Sequence, residues 1–296
     1  MNKRGAFTCV VDDDPRFHLE ASRWFIALTD VAGVDPSDLV VHVVDGCSSD
    51  VIDHLRNAGV TVRSVEPFDE RVPLTNKIAG ALSLARTGVE GLAVLTDTDV
   101  MVLEDPRRLP IPQGSVASKV VDLQNPPIPT LEQAFSAAGL EIPPLVPLDW
   151  HSTQRTVAGN TNGGMYLIPG DFLATIADAW AEWTRWMLER VDDFPPRGLF
   201  VDQMGMVLAI AATGTEPWRL DPRWNFPTHL PEAIPADTPS PSVVHYHRRV
   251  SKDGLLEPTG VPAVDAQIDR ANEAITQAWN AAFPRESFQA WREAVG

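Results

Sequence analysis

The chain has 296 residues, a formal net charge of −16 and 44% hydrophobic residues. That length can bury one large core or two small ones, and a mean hydropathy of −0.09 is ordinary for a globular chain. No apolar stretch approaches the roughly 20 residues needed to span a bilayer, and so acidic a surface repels a polyanion, which argues against nucleic acid and suits a divalent cation.

The first hundred residues alternate strand and helix patterns, which predicts a parallel sheet with crossover helices. Met-Asn-Lys-Arg is basic, but the apolar run that follows is too short for a signal-peptide core and reads as a first strand over Phe7–Val11. The pattern then predicts a helix over His18–Ala32, a buried strand over Leu39–Val44 and a helix running to Asn57, capped by Ser48-Ser49-Asp50 and closed by Gly59. A strand over Val60–Val65 follows. Thr75 is the expected N-cap of a helix over Asn76–Arg86, with Gly88 as its stop, and Leu92–Leu95 is the next strand.

From Pro106 to about Thr156 eight further prolines break the pattern into loops around one helix, Leu131–Ala138, a length that marks a functional or partly mobile segment. Order returns with a strand over Asn162–Ile168, a Trp-rich helix over Asp171–Arg190 and an apolar helix over Phe200–Ala212. Residues 219–247 read as extended, and Val264–Ala294 as a helical tail broken near Pro284. Cys9 and Cys47 are the only cysteines and read as buried thiols of a reducing, cytoplasmic compartment.

The chemistry gathers where the apolar run Leu92–Leu95 ends in Asp97-Thr98-Asp99. In a regular strand residues i and i+2 share a face, so both carboxylates would converge on one side. Two hard oxygen ligands there suit Mg²⁺ or Mn²⁺, and nucleotides bind beyond the strand ends of α/β sheets. Asp12-Asp13-Asp14 closes the first strand; carboxylates there can receive ribose hydroxyls or a base, although Asp14 followed by Pro15 also reads as a helix N-cap. Lys77 at a helix N-terminus and Lys252 near the C-terminal end of the extended region can neutralise phosphates. Asn162-Gly163-Gly164 lets backbone approach a ligand closely, and His245 or His247 is a third metal ligand beside the two aspartates. Trp150, Trp218 and Trp224 are either sugar-stacking or packed side chains. No Gly-x-Gly pair, Walker A, His-Glu-x-x-His, Cys-x-x-Cys or Gly-x-Ser-x-Gly is present, which argues against dehydrogenation, kinase chemistry and serine hydrolysis.

The series of elements resembles the nucleotide-sugar glycosyltransferases of GT-A type, most closely glycosyltransferase family 8. The resemblance runs from about residue 7 to 255. It rests on Asp14-Pro15-Arg16-Phe17, Val40–Gly46, Leu95–Asp99, Asn162–Ile168, Asp202-Gln203, Trp224-Asn225, and His245-Tyr246 with Lys252. It implies an α/β GT-A fold, with a Rossmann-like, mostly parallel central sheet flanked by helices and a C-terminal helical tail. One domain would span 1–255, with 107–158 inserted on the acceptor side and 256–296 packed on it as a helical extension.

The resemblance further implies Mn²⁺ or Mg²⁺ on Asp97, Asp99 and His245. Asp12, Asp14, Lys77, Thr98, Asn162, Gly163, Gly164 and Lys252 would serve the donor, and Asp202 and Gln203 the transferred sugar. The partners would be a nucleotide sugar and a small-molecule or glycan acceptor, with a homo-oligomer left open. Retention at the anomeric carbon is the family expectation; inversion would need Asp202 as base. Met204 stands where the family has a second acid, and His247-Arg248-Arg249 replaces the closing glycine and Pro-Trp. A non-catalytic binding protein of the same fold and a sugar-phosphate nucleotidyltransferase are the alternatives. A metal-dependent phosphohydrolase is weaker, because its aspartate pair belongs at the first strand.

Overall fold

The computed structural model describes residues 5–150, 153–194, 200–235 and 237–282. The expected helical break at Pro284 and the tail beyond it lie outside them. In chain order the elements begin with β1 (Gly5–Val11), α1 (Pro15–Ile26), β2 (Leu39–Val44), α2 (Asp50–Asn57), β3 (Thr61–Val65), α3 (Asn76–Thr87), β4 (Leu92–Thr96) and β5 (Val100–Val102). The middle holds β6 (Ser115–Ser118), α4 (Ile128–Ala138), β7 (Leu145–Pro147), β8 (Arg155–Val157) and β9 (Met165–Pro169). The rest is α5 (Leu173–Leu188), α6 (Val201–Ala212), β10 (Glu216–Arg219), β11 (Phe226–Pro227), β12 (Val243–His245) and α7 (Pro262–Ala282).

The central sheet is mostly parallel and flanked by helices, as the strand–helix alternation predicts. The chain divides into two compact units. One comprises 1–6, 66–95 and 107–222; the other comprises 7–65, 96–106 and 223–296. The second unit carries the strand run β1-β2-β3, all parallel, with Phe7 opposite Leu39 and Val40 opposite Thr61. β1 and β2 read as nearly unbroken apolar runs because helices cover a parallel sheet on both faces. Asp14 caps α1, its carboxylate accepting from Arg16 N at 2.8 Å with Pro15 at the first position, and Ser49 caps α2. A short separate sheet, β11-β12-β5, pairs β12 antiparallel to β5 and sets His245 opposite Val100. α7 belongs to this unit and packs against α1.

The first unit carries β10-β6-β9-β4, in which β6 runs parallel to β10 and antiparallel to β9. Its helices α5 and α6 pack closely, and a core of Leu131, Phe135, Met187, Leu188, Met204 and Leu208 lies among α4, α5 and α6. Trp180 of α5 is buried edge-to-face on Tyr166, with ring centroids 5.5 Å apart.

Several boundaries differ from expectation. The first helix begins at Pro15 and gives way after Ile26 to a π-helical turn, Ala27–Val31, closed by Ala32 N to Ala27 O at 2.9 Å. Thr75 does not cap α3 with its side chain. It ends a 3₁₀ turn, Pro73–Thr75, and its hydroxyl donates back to Val72 O at 2.7 Å. The proline-rich stretch expected as loops holds three short strands, of which β7 and β8 pair Leu145 with Val157. Strands of three or four residues flanked by proline carry too little period to be read locally. Among the described residues, no helix is long and apolar enough to cross a membrane.

Candidate functional site

In the second unit Asp97, Thr98 and Asp99 form the turn between β4 and β5, not a continuation of the strand. Strand alternation therefore does not orient the two carboxylates; the turn does. Three ligand atoms, a carboxylate oxygen of Asp99 and one nitrogen each of His245 and His247, lie within 4.8 Å of one another. Asp99 Oδ1 stands 3.2 Å from His245 Nε2. The cluster is assembled by backbone: β12 pairs with β5, and Tyr246 N donates to Asp99 O at 3.1 Å. Tyr246 is itself buried and accepts from Arg23 Nε at 3.0 Å, which fixes the segment between the two histidines. The His245 and His247 rings stack with centroids 3.8 Å apart, and His229 meets His247 edge-on at 4.0 Å.

This donor set fits a divalent transition metal: one hard carboxylate and two borderline imidazoles, of which His245 is buried. Thr98 is buried, and its hydroxyl donates to Glu20 at 2.6 Å. Sequence reasoning passed over Glu20, a carboxylate on the buried face of α1; its place within an apolar helical stripe was the available signal. Burial first, then the neighbouring Asp99 charge, pushes Glu20 up to about 7. At the end of β1, Asp12 is half-buried and Asp14 is exposed and engaged in capping. Cys47 accepts or donates a 3.2 Å contact with His18 Nε2, and burial raises its thiol to about 11. Both cysteines are free and buried, as expected. Lys252 is exposed in a turn after β12.

The first unit gathers a second set. Lys77 at the start of α3 reaches across to α6, with its Nζ 3.3 Å from Asp202 Oδ2 and 3.4 Å from Gly163 O. A Cβ placed on Gly163 would meet Lys77 Nζ at 3.4 Å and Asp202 Oδ2 at 3.6 Å, ordinary contact distances, so this backbone lies directly against the ion pair. Asp202 is buried, and its backbone carbonyl accepts from Trp180 Nε1 at 2.7 Å. Gln203 Nε2 donates to Asn125 O and to Asn160 Oδ1, each at 2.8 Å. Those two bonds fix the amide and leave Oε1 as the atom they do not engage.

Asn162 has a scaffolding part: its Nδ2 donates to Asp122 at 2.7 Å and its Oδ1 accepts from Gly164 N at 2.9 Å. Asp122 belongs to a charge cluster that sequence reasoning missed. Lys119, fully buried, pairs with Asp122 and lies 3.8 Å from Asp149, which also pairs with Arg219. A lysine between two short strands gives no local sign of burial. Of the three tryptophans weighed as sugar platforms, Trp224 is buried, Trp218 is exposed, and Trp150 stacks near Lys119 Nζ at 5.4 Å.

No protein-family model matches the chain, and no curated protein matches it. Solved structures do. The galactosyltransferase LgtC, solved with donor and acceptor sugar analogues, is 12% identical with a TM-score of 0.54, covering 94% of this chain and 100% of LgtC. An active-site mutant of LgtC gives a TM-score of 0.57 at the same identity and coverage. Mouse xyloside xylosyltransferase 1, in its apo form, is 13% identical with a TM-score of 0.50, over 82% of this chain and 97% of that one. The likeness is one of fold: this chain has the α/β GT-A architecture of these glycosyltransferases.

Proposed function

We propose that the chain is a metal-dependent glycosyltransferase that moves a sugar from a UDP- or GDP-sugar to a hydroxyl acceptor, with retention at the anomeric carbon. The observation that carries this reading is the Asp99–His245–His247 donor set at the turn after β4, in a chain of GT-A fold. Membership of family 8 is part of the proposal and rests on the ordered motifs.

Asp97, Asp99 and His245 would hold Mn²⁺ or Mg²⁺, and such an ion would supply stabilisation of the charge on the departing diphosphate. Asp12 and Asp14 receive the nucleoside, with Thr98 held in register by Glu20. Lys77 and Lys252 neutralise phosphate oxygens. Gly163 and Gly164 allow the donor to lie against backbone, and Asn162 keeps that segment in place through Asp122. Gln203, its amide nitrogen spent on Asn125 and Asn160, presents Oε1 to the cationic anomeric carbon. Asp202, paired with Lys77, orders the sugar hydroxyls.

In the reaction the bond between the anomeric carbon and the β-phosphate oxygen breaks. The acceptor oxygen bonds to that carbon from the same face, and the acceptor proton passes to a phosphate oxygen of the leaving diphosphate. Met204 offers no carboxylate next to Gln203, so the residue after Gln203 forms no glycosyl ester. Residues 107–158 are assigned to the acceptor side, within a catalytic domain spanning 1–255 that 256–296 extends. A cytoplasmic setting is part of the proposal, with the two free thiols in its support.

The test is thermal stability against a panel of nucleoside diphosphates and nucleotide sugars with and without Mn²⁺, since ligand bound to the native state raises Tm by mass action. A shift that needs both metal and one nucleotide, followed by turnover of that nucleotide's sugar on a hydroxyl acceptor, is the expected result. Protein that is folded yet unmoved by every pair would overturn the reading.

A further inference from the structure

We propose that His247 is a further ligand of the cation, beside Asp97, Asp99 and His245, and that the second imidazole makes the site select a transition-metal ion over Mg²⁺. The inference deepens the metal part of the proposed function, where sequence reasoning left one histidine to be chosen from the two.

The geometry brings both rings to Asp99. A nitrogen of each ring and a carboxylate oxygen of Asp99 all lie within 4.8 Å, and the Asp99–His245 pair stands at 3.2 Å. Ligand bonds of about 2.0–2.2 Å put adjacent ligands on one ion roughly 3.0–3.5 Å apart, so the Asp99–His245 pair already has that spacing, and His247, within 4.8 Å of both, closes on them when the ion binds. The two rings stack face to face, 22° between planes with centroids 3.8 Å apart, so the nitrogens lie close together and the His247 ring must tilt for both lone pairs to meet one ion.

His247 is also held there at a cost. Its φ is +52°, a left-handed conformation that a residue with a Cβ rarely adopts. Such conformations persist where the surroundings over-determine them, and here the neighbours do so. Tyr246 N is bonded to Asp99 O, the Tyr246 hydroxyl to Arg23, and Arg249 N to Tyr246 O at 2.9 Å. His229 braces the outer edge of the His247 ring.

Two imidazoles change what the site prefers. Carboxylate and water suit Mg²⁺, whereas imidazole suits first-row transition metals, whose affinity for a given site rises from Mn²⁺ towards Co²⁺ and beyond. A site of aspartates and water would bind Mg²⁺ and Mn²⁺ comparably; one with two imidazoles discriminates against Mg²⁺.

Calorimetry with Co²⁺ and with Mg²⁺, and the visible d–d absorption of bound Co²⁺, test this on wild type, His245→Gln and His247→Gly. Glycine adopts the left-handed backbone freely, so His247→Gly removes the ring without disturbing the turn, and an unchanged metal-free Tm verifies that. Wild type is expected to bind Co²⁺ at least about tenfold more tightly than Mg²⁺. Each variant is expected to lose about tenfold or more in Co²⁺ affinity and to alter the absorption band, with Mg²⁺ affinity changed less than about twofold. A His247→Gly variant with wild-type Co²⁺ affinity and spectrum overturns the inference while leaving a one-histidine glycosyltransferase site intact. Co²⁺ bound through both histidines, in protein that binds no nucleoside diphosphate, upholds the inference and overturns the proposed function instead. Absence of any Co²⁺ binding overturns it outright.

Discussion

Thr98 Oγ1 donates a 2.6 Å hydrogen bond to Glu20 Oε2, which ties the middle of the Asp97–Asp99 turn to a carboxylate on the buried face of α1. Glu20 also has Arg16 Nε at 3.6 Å, so the turn is anchored through a small polar network rather than by backbone alone. Burial first, and then the charge of Asp99, explain why this carboxylate holds its proton firmly against the opposing pull of Thr98 and the arginines.

That proton gives the first prediction. Burial and Asp99 raise Glu20 to about 7, above its unfolded value, so the folded state binds the proton more tightly. The contribution to stability is full below about pH 4.5 and is lost as pH rises through about 7. It amounts to about 3 kcal/mol at most. Chemical denaturation in EDTA is expected to show Glu20→Gln gaining on wild type by about 2–3 kcal/mol between pH 5 and pH 8. A difference that does not vary with pH would remove Glu20 from this role.

His42 acts with the opposite sign. Buried in β2, with Nδ1 at 2.8 Å from the Thr8 hydroxyl, it is lowered to about 4 by burial and by Arg63. The unfolded chain takes up that proton first, so stability present above about pH 6.5 is lost as pH falls towards 4. His42→Asn should flatten this acid limb by about 2–3 kcal/mol. In histidine NMR spectra, the resonance missing from the variant should remain that of a neutral ring at pH 5 in wild type.

Close packing of α5 on α6 depends on Gly205. A Cβ there would stand 2.1 Å from Thr184 Oγ1 and 3.0 Å from Thr184 Cα, and the second contact is with backbone. Gly205→Ala is therefore expected to destabilise by about 1–3 kcal/mol. Adding Thr184→Ala should recover only part of this, because the hydroxyl leaves and the Cα stays. Full recovery in the denaturation midpoint would mean that the backbones can separate.

Lys119 is fully buried between Asp122 and Asp149. Lys119→Met leaves two buried carboxylates facing each other and is expected to cost about 3–5 kcal/mol, the range for breaking a buried pair from one side. Lys119→Met with Asp122→Leu should be less destabilised than the single variant. If the double variant is the worse of the two, the cluster is not acting through charge.

Lys77 and Asp202 should separate binding from turnover. Lys77→Met is expected to weaken nucleoside diphosphate binding by about tenfold or more, the loss of one charge-assisted phosphate contact. Asp202→Asn should leave that affinity within about twofold and lower kcat by about a hundredfold. The reverse pattern, from equilibrium binding and initial rates, would exchange the two roles.

The sequence by itself determined the α/β architecture, because the period of apolar residues and the Asp14, Ser49 and Gly88 punctuation are local consequences of backbone hydrogen bonding and burial. The same locality made β1, β2 and β4 legible to within a residue or two, and brought Lys77, Gly163, Asp202, Asp99 and the two histidines to attention as individual residues. Only the tertiary structure decided their company. Lys77 meets Asp202, Gln203 spends its amide on Asn125 and Asn160, Thr98 turns to Glu20, and His247 lies beside His245 at Asp99. All but the His245–His247 pair join residues far apart in the chain. Which rings and carboxylates converge is set by turn geometry, by a left-handed residue at 247 and by the pairing of β12 with β5, none of which has a periodic imprint in the sequence.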